Sequence, residues 1–242
     1  MAAASAAPAA AMAVAAEGGG NGTTSFGILY CAEIARKVSQ AIRLAPNASL
    51  IAIGSRSLDK SHRFLSENSL DPAAVAAYDS YEAILKDPRI DVVYMPLPTS
   101  LHVPWAVAAT GNGKHLLLEK PAALCASGLD KILEACNATW VQFMDSTMWM
   151  HHPCTAEMKQ LLADPVRFGQ LRVVQSIFTF YADSYFLEND IRVKLDLDAL
   201  GALGDMLASD KRWPNVTRKT QLVLDAVKAS IKNGFQPVDI IS

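Results

Sequence analysis

With 242 residues, 51% of them apolar, the chain has material for one full hydrophobic core and a small second unit. A net charge of −2 removes the electrostatic reason to expect nucleic acid or an anionic membrane as partner, and no apolar stretch is long enough to span a bilayer uninterrupted. The four cysteines, Cys31, Cys125, Cys136 and Cys154, show no paired metal-ligand spacing and are expected as free thiols, so no metal is expected.

Residues 1–22 are rich in alanine, end in glycines and carry almost no charge. Such a segment does not repay the entropy of ordering and is expected to be a disordered tail. It has no arginine and no basic start before a leucine-rich centre, so neither a transit peptide nor a secretory signal is expected; the expected compartment is the cytoplasm. From Thr23 onward, strand-like runs over 25–30, 49–54, 73–77, 91–96 and 115–119 alternate with helical patterns over 32–44, 58–67, 80–86 and 104–110. A helix over 127–136 and a strand over 141–144 follow. This alternation predicts parallel strands joined by right-handed crossovers, an α/β fold with a Rossmann-type doubly wound sheet.

The run Lys114-His115-Leu116-Leu117-Leu118-Glu119-Lys120-Pro121 reads as a short buried strand that stops in a carboxylate, an ammonium and a stiffening proline. In an open parallel sheet that ending lies at the carboxyl edge, where such folds bind ligands. The second strand is followed by Ser55-Arg56-Ser57, where enzymes selecting the unphosphorylated nicotinamide cofactor usually carry an acid. A guanidinium there suits a 2′-phosphate, which it can bond bidentately while stacking on adenine; a solvated arginine opening the next helix is the plain alternative. His151 and His152 are adjacent on what reads as an extended segment, point to opposite faces and have no third ligand nearby, so they are not expected to bind metal.

Four motifs in order, Phe26-Gly27-Ile28-Leu29, Ile53-Gly54-Ser55-Arg56-Ser57, Pro96-Leu97-Pro98-Thr99-Ser100-Leu101-His102 and Glu119-Lys120-Pro121, resemble the glucose–fructose oxidoreductase, inositol dehydrogenase and rhizopine-catabolism (Gfo/Idh/MocA) family. The nearest likeness is to plant relatives of dimeric dihydrodiol dehydrogenase. The resemblance implies NADP as cofactor, with NAD as the alternative, and hydride exchange with a sugar or cyclic diol carbon. It implies Lys120 as the acid–base group and a cofactor site built from Cys31, Ala32, Glu33, Ile34, Ser55, Arg56, Pro98, Thr99, His102, Glu119 and Lys120, with His102 a minor contact. On the family pattern the three glycine-type positions of the first turn fall on Tyr30, Ala32 and Ala35. A left-handed backbone at Tyr30 costs roughly 1–2 kcal/mol, and its ring must either turn outward or crowd the cofactor.

The resemblance places nucleotide binding at 23–148 and a truncated α+β second domain at 149–242. The segment 145–153 crosses between them, with Met148, Trp149 and Met150 in a packing seam. A helix over 155–162, a strand over 171–181 and a final helix starting near Trp213 and ending at Gly234 complete the expected elements. Asp198-Ala199-Leu200-Gly201-Ala202-Leu203-Gly204-Asp205 is similar to the motif that in relatives leads to a partner tyrosine, yet no tyrosine follows Tyr185. The resemblance then resumes near the relatives' last helix, implying an internal deletion at Met206–Leu207. Loss of most of the second sheet would uncover apolar side chains worth on the order of 1.5–3 kcal/mol each. It would also weaken any homo-oligomer, and a non-catalytic nucleotide-binding remnant is the alternative to an active enzyme.

Overall fold

The computed structural model describes residues 22–170, 172, 183–190 and, discontinuously, positions between 218 and 238. Six parallel strands form one sheet: β1 (Thr24–Leu29), β2 (Ala48–Gly54), β3 (Ala76–Tyr78), β4 (Val92–Met95), β5 (His115–Leu118) and β6 (Phe143–Asp145). Their order across the sheet is β3-β2-β1-β4-β5-β6, so the chain reverses its winding between β1 and β4. Helices α1 (Glu33–Leu44), α2 (Leu58–Glu67), α3 (Tyr81–Lys86), α4 (His102–Gly111) and α5 (Ala126–Thr139) fill the crossovers. The doubly wound sheet expected from the alternation is the one observed.

Adjacent strand residues point to opposite faces, and β4 shows the partition. Tyr94 joins Ile28, Ile53, Ala35, Ile42, Phe64 and Leu65 in a core under α1 and α2. Val93 and Met95 face the other way, into a core with Ile84, Ala106, Ala109, Leu129 and Ile132 from α3, α4 and α5. Gly27 and Gly54 bring one helix unusually close. A Cβ would lie 3.0 Å from Ile84 Cγ2 at Gly27 and 2.7 Å from Ile84 Cδ1 at Gly54, so Ile84 rests directly on β1 and β2. Gly27 therefore leaves room for Ile90, whose Cδ1 lies 2.8 Å from the Cβ position, as well as for Ile84 of α3.

Several boundaries move for local reasons. The strand expected over 73–77 is displaced to β3 because Asp71 forms a turn: its Oδ1 accepts from Ala73 N at 2.9 Å and its carbonyl from Val75 N at 2.9 Å. The fourth helix starts earlier than expected, at His102 after a 3-10 turn at Thr99–Leu101, with Pro104 tolerated in its first turn. At the end of α5, Trp140 adopts a left-handed φ of 58° and Val141 N bonds back to Cys136 O at 3.1 Å. The sixth strand thus starts at Phe143 rather than at 141. Met148–His151 is a 3-10 turn, not the extended segment expected, and His152 caps the next helix by accepting from Cys154 N at 3.2 Å.

That helix, α6 (Pro153–Ala163), covers the one expected over 155–162, and a short α7 (Ser184–Asn189), capped by Asp183, was not anticipated. The expected strand over 171–181 falls almost wholly outside the described residues, as do the 198–205 motif and the Met206–Leu207 junction. Arg218, Asp225 and Lys228 are helical and reach the start of α5. Cys125, its N-cap, makes no side-chain cap, and Ala126 N instead donates to Asp225 Oδ2 at 2.8 Å. Lys228 Nζ donates to Leu124 O at 2.6 Å, and Arg218 Nε to Asp130 Oδ1 at 2.7 Å. Among the described residues, no helix is long and apolar enough to cross a membrane.

One buried cation supports the loop entering β4. Lys114 is 5% exposed, and its Nζ donates to the carbonyls of Asp87 at 2.6 Å and Ile90 at 2.8 Å. Lys114→Met keeps the stem but strips both carbonyls of their donor, and should lower the unfolding free energy by roughly 1–3 kcal/mol in urea titrations.

Candidate functional site

The carboxyl ends of β1, β2, β4, β5 and β6 present five loops along one edge, on either side of the winding reversal. This is where an open α/β sheet leaves a crevice. After β1, Tyr30 takes a φ of 92° and its N–H bonds Gly54 O at 2.7 Å. The backbone is thus left-handed, as a glycine-type position requires, and the ring packs partly buried against the core beneath α3, α4 and α5. Ala32 then serves as N-cap of α1, with no side chain capping the helix, and Ala35 is fully buried. The first turn of α1 is thus without a side-chain cap, an arrangement that suits an anion. Glu33 is exposed there and ion-paired with Arg36, and Ile34 is half-buried.

Cys31 lies beside the next loop. Burial pushes its thiol up, opposed by hydrogen bonding to Ser61 and Ser55 and by the charge of Lys60. Ser55 is 1% exposed and its hydroxyl is spent locally, donating to Ser57 O at 2.7 Å and accepting from Ser57 N at 3.1 Å. That turn leaves Arg56 exposed at the uncapped N-terminus of α2. Its charge acts on the buried Tyr81 phenol, which burial pushes up and Arg56 pulls down. Tyr30 and Cys31 also act on that phenol, so Arg56 belongs to the same corner as the first turn.

The third loop, after β4, carries Pro98, buried Thr99 and His102. His102 is 1% exposed, and both ring nitrogens face backbone carbonyls: Nε2 is 2.8 Å from Leu97 O and Nδ1 is 3.2 Å from Ala122 O. The ring thus sits between a carbonyl of the β4 loop and a carbonyl of the loop after β5. Burial drives its pKa down to about 4, so the ring is neutral and one of its two nitrogens carries the proton.

After β5 come Glu119, Lys120 and Pro121, with a cis Lys120–Pro121 bond. Glu119 is 8% exposed; its Oε1 accepts from Tyr94 Oη at 2.5 Å and its Oε2 from Lys120 N at 3.2 Å. Burial pushes this carboxyl up, while Tyr94 and Lys120 pull it down. Lys120 is half-buried at the lip. Beyond β6, Asp145 accepts from Thr147 N at 3.1 Å and Thr147 Oγ1 at 2.6 Å. Ser146, 6% exposed, holds a buried hydroxyl with no hydrogen-bond partner among the described residues. A satisfied interior rarely leaves such a group unless something else bonds it.

The edge therefore assembles the sequence-predicted residues in two groups. Tyr30 to Ile34 with Ser55 and Arg56 lie at one end; Pro98, Thr99, His102, Glu119 and Lys120 lie at the other. Sequence reasoning missed Lys60, Tyr81, Tyr94 and Ser146. Tyr94 carried one usable signal, a phenol inside a run otherwise fit for a buried strand. Among the described residues, no cluster of three or more His, Cys, Asp or Glu side chains is arranged to hold a metal ion.

The pattern of the Gfo/Idh/MocA family, described as an oxidoreductase family with an NAD-binding Rossmann fold, matches residues 25–146. A dTDP-3,4-didehydro-2,6-dideoxy-alpha-D-glucose 3-reductase of Streptomyces violaceoruber is 32% identical over 181 residues, covering 74% of this chain and 50% of the relative. An NADP(+) D-xylose 1-dehydrogenase of Haloferax volcanii is 34% identical, covering 71% of this chain and 50% of the relative. A trans-1,2-dihydrobenzene-1,2-diol dehydrogenase of Xenopus tropicalis is 27% identical and covers 64% and 46%. Among solved structures, a 3-ketoreductase from Actinomadura kijaniata in complex with NADP and TDP-benzene superposes with a TM-score of 0.54 at 28% identity, covering 58% of this chain and 42% of that one. The chain spans about half the length of the curated relatives it matches.

The neutral His102 gives the two loops a defined pH window. Its folded pKa lies below the ordinary histidine value of about 6.5, so its contribution is fully present above that value and is lost as pH falls toward about 4. Urea midpoints should drop over this window, and the drop should shrink in His102→Gln.

Proposed function

Because the chain belongs to the Gfo/Idh/MocA oxidoreductase family, we propose that it is an NADP-dependent oxidoreductase exchanging hydride with a carbinol or carbonyl carbon of a sugar or small cyclic diol. The observation that carries the reading is Lys120, at the carboxyl lip of β5 and joined through its own backbone N–H to the buried Glu119. When bound, the nicotinamide supplies or takes up the hydride. Lys120 then performs the proton transfer at the substrate oxygen, donating as a carbonyl is reduced and accepting as a carbinol is oxidised. In the reductive direction its positive charge lowers the cost of the developing alkoxide; in the oxidative direction the neutral amine takes the proton and becomes the ammonium.

At the other end, the open first turn of α1 is suited to the pyrophosphate, and Arg56 with Lys60 at the head of α2 to a 2′-phosphate. The left-handed backbone of Tyr30 reproduces what a glycine would provide, and its packed ring supports a turn that still admits the cofactor. In the domain division that accompanies this reading, residues 23–148 bind the nucleotide. Residues 149–242 are the remnant of a substrate and dimerisation domain whose last helix folds back onto α5. The cytoplasm is the corresponding compartment.

A fluorescence titration with NADPH, followed by turnover assays on aldoses and dihydrodiols, tests the reading; failure to bind NADPH defeats it. Arg56→Glu should weaken NADPH relative to NADH by roughly 10- to 100-fold in calorimetric titrations, the worth of one or two bonds to a charged phosphate. Lys120→Ala should lower turnover by roughly 10²–10⁴-fold, far more than it weakens NADPH binding.

A further inference from the structure

One buried polar contact at the crevice involves a residue that the proposed chemistry does not use. Tyr94 is fully buried in the middle of the sheet, so its hydroxyl must find an acceptor inside the protein. It finds Glu119 Oε1 at 2.5 Å and donates to it. The other oxygen, Oε2, accepts the backbone N–H of Lys120. One carboxylate is thus held on both sides, by a phenol from β4 and by the turn that carries the proposed acid–base ammonium.

From this geometry we infer that Tyr94 is a positioning residue: its phenol holds the Glu119 carboxylate ionised and in place, and through it fixes the Lys120 turn. The inference rests on the reading of Lys120 as the acid–base group, and it adds a pH dependence to that site. Among the described residues, the charged and titratable groups acting on Glu119 are Tyr94 from β4, Lys120 from the same turn and Asp145 from β6. Burial and Asp145 disfavour the carboxylate; the phenol and Lys120 favour it. Protonation of Glu119 removes the strong acceptor from both the phenol and the Lys120 amide. The turn then loosens as pH falls through the Glu119 midpoint. Without the phenol, that midpoint moves up.

The test is made on the full chain carrying 13C-labelled glutamate, with the Glu119 carboxyl resonance identified by its loss in Glu119→Gln. The Glu119 midpoint and the pH-dependent shift of the Lys120 amide should coincide in the wild-type chain. Both should move upward by about one to two pH units in Tyr94→Phe, the worth of one hydrogen bond to a charged group. A folded Tyr94→Phe chain with an unchanged midpoint overturns the inference. Should that variant not fold, the Tyr94 ring carbon bearing the hydroxyl serves in its place. In the wild-type chain it should titrate with the Glu119 midpoint, and in Glu119→Gln it should not; a resonance flat across that range is equally fatal. None of these signals requires cofactor or turnover. A failure here is therefore distinct from a failure to bind NADPH.

Discussion

The parallel pairing of β4 with β5 is the constraint on which the crevice depends. Val92 to Met95 run in register against His115 to Leu118, so the two strands end level, one in Pro96 and the other in Glu119. Level endings put the residues after each strand at one edge, and the alternation of faces decides what they meet. Tyr94 and Leu117 face α1 and α2, and Glu119, two residues beyond Leu117, returns to that side. A register slip of one residue would turn Glu119 away from the phenol and carry Lys120 out of the lip. Lys114, anchored to the carbonyls of Asp87 and Ile90, braces the opposite end of the same pair.

Around that pair the crevice is built by a division of labour. Some polar side chains shape loops and others are left facing outward. Ser55 closes a turn on Ser57 and thereby exposes Arg56; His102 sits buried between two loops, while Lys120 stays half-buried at the lip. The helix termini follow the same logic, since neither α1 nor α2 is capped by its own N-cap side chain. Amide groups are left open at these two helix starts, beside Arg56 and Lys60, with Glu33 and Asp59 in the same first turns.

Most of the sheet was legible in the sequence because buried parallel strands read as continuous apolar runs and their crossovers as amphipathic periods. Glu119-Lys120-Pro121 was legible because a strand that ends in two charges and a proline has few other places to sit. What escaped was set by contacts across the fold. The Asp71 turn that displaces β3 competes with a β-like Ala-Ala-Val run, and its side-chain bond wins. The partner of Tyr94 lies 25 residues downstream and is fixed only by pairing, so no local pattern reveals it. His102 looks from its motif like a ligand contact. Its two carbonyl neighbours belong to segments that only tertiary structure brings together.

The bond from Ala126 to Asp225 bears on how the molecule forms. Helix α5 lies beneath β5 and β6, yet the carboxylate that satisfies its first amide arrives 99 positions later. During synthesis, the sheet can be complete while one of its helices still has a frayed beginning. That incomplete species exposes the amides of Ala126 and its neighbours until the later segment docks, and Lys228 and Arg218 tighten the closure. The six-stranded unit is in this sense discontinuous: its last stitch is sewn by residues from beyond α7.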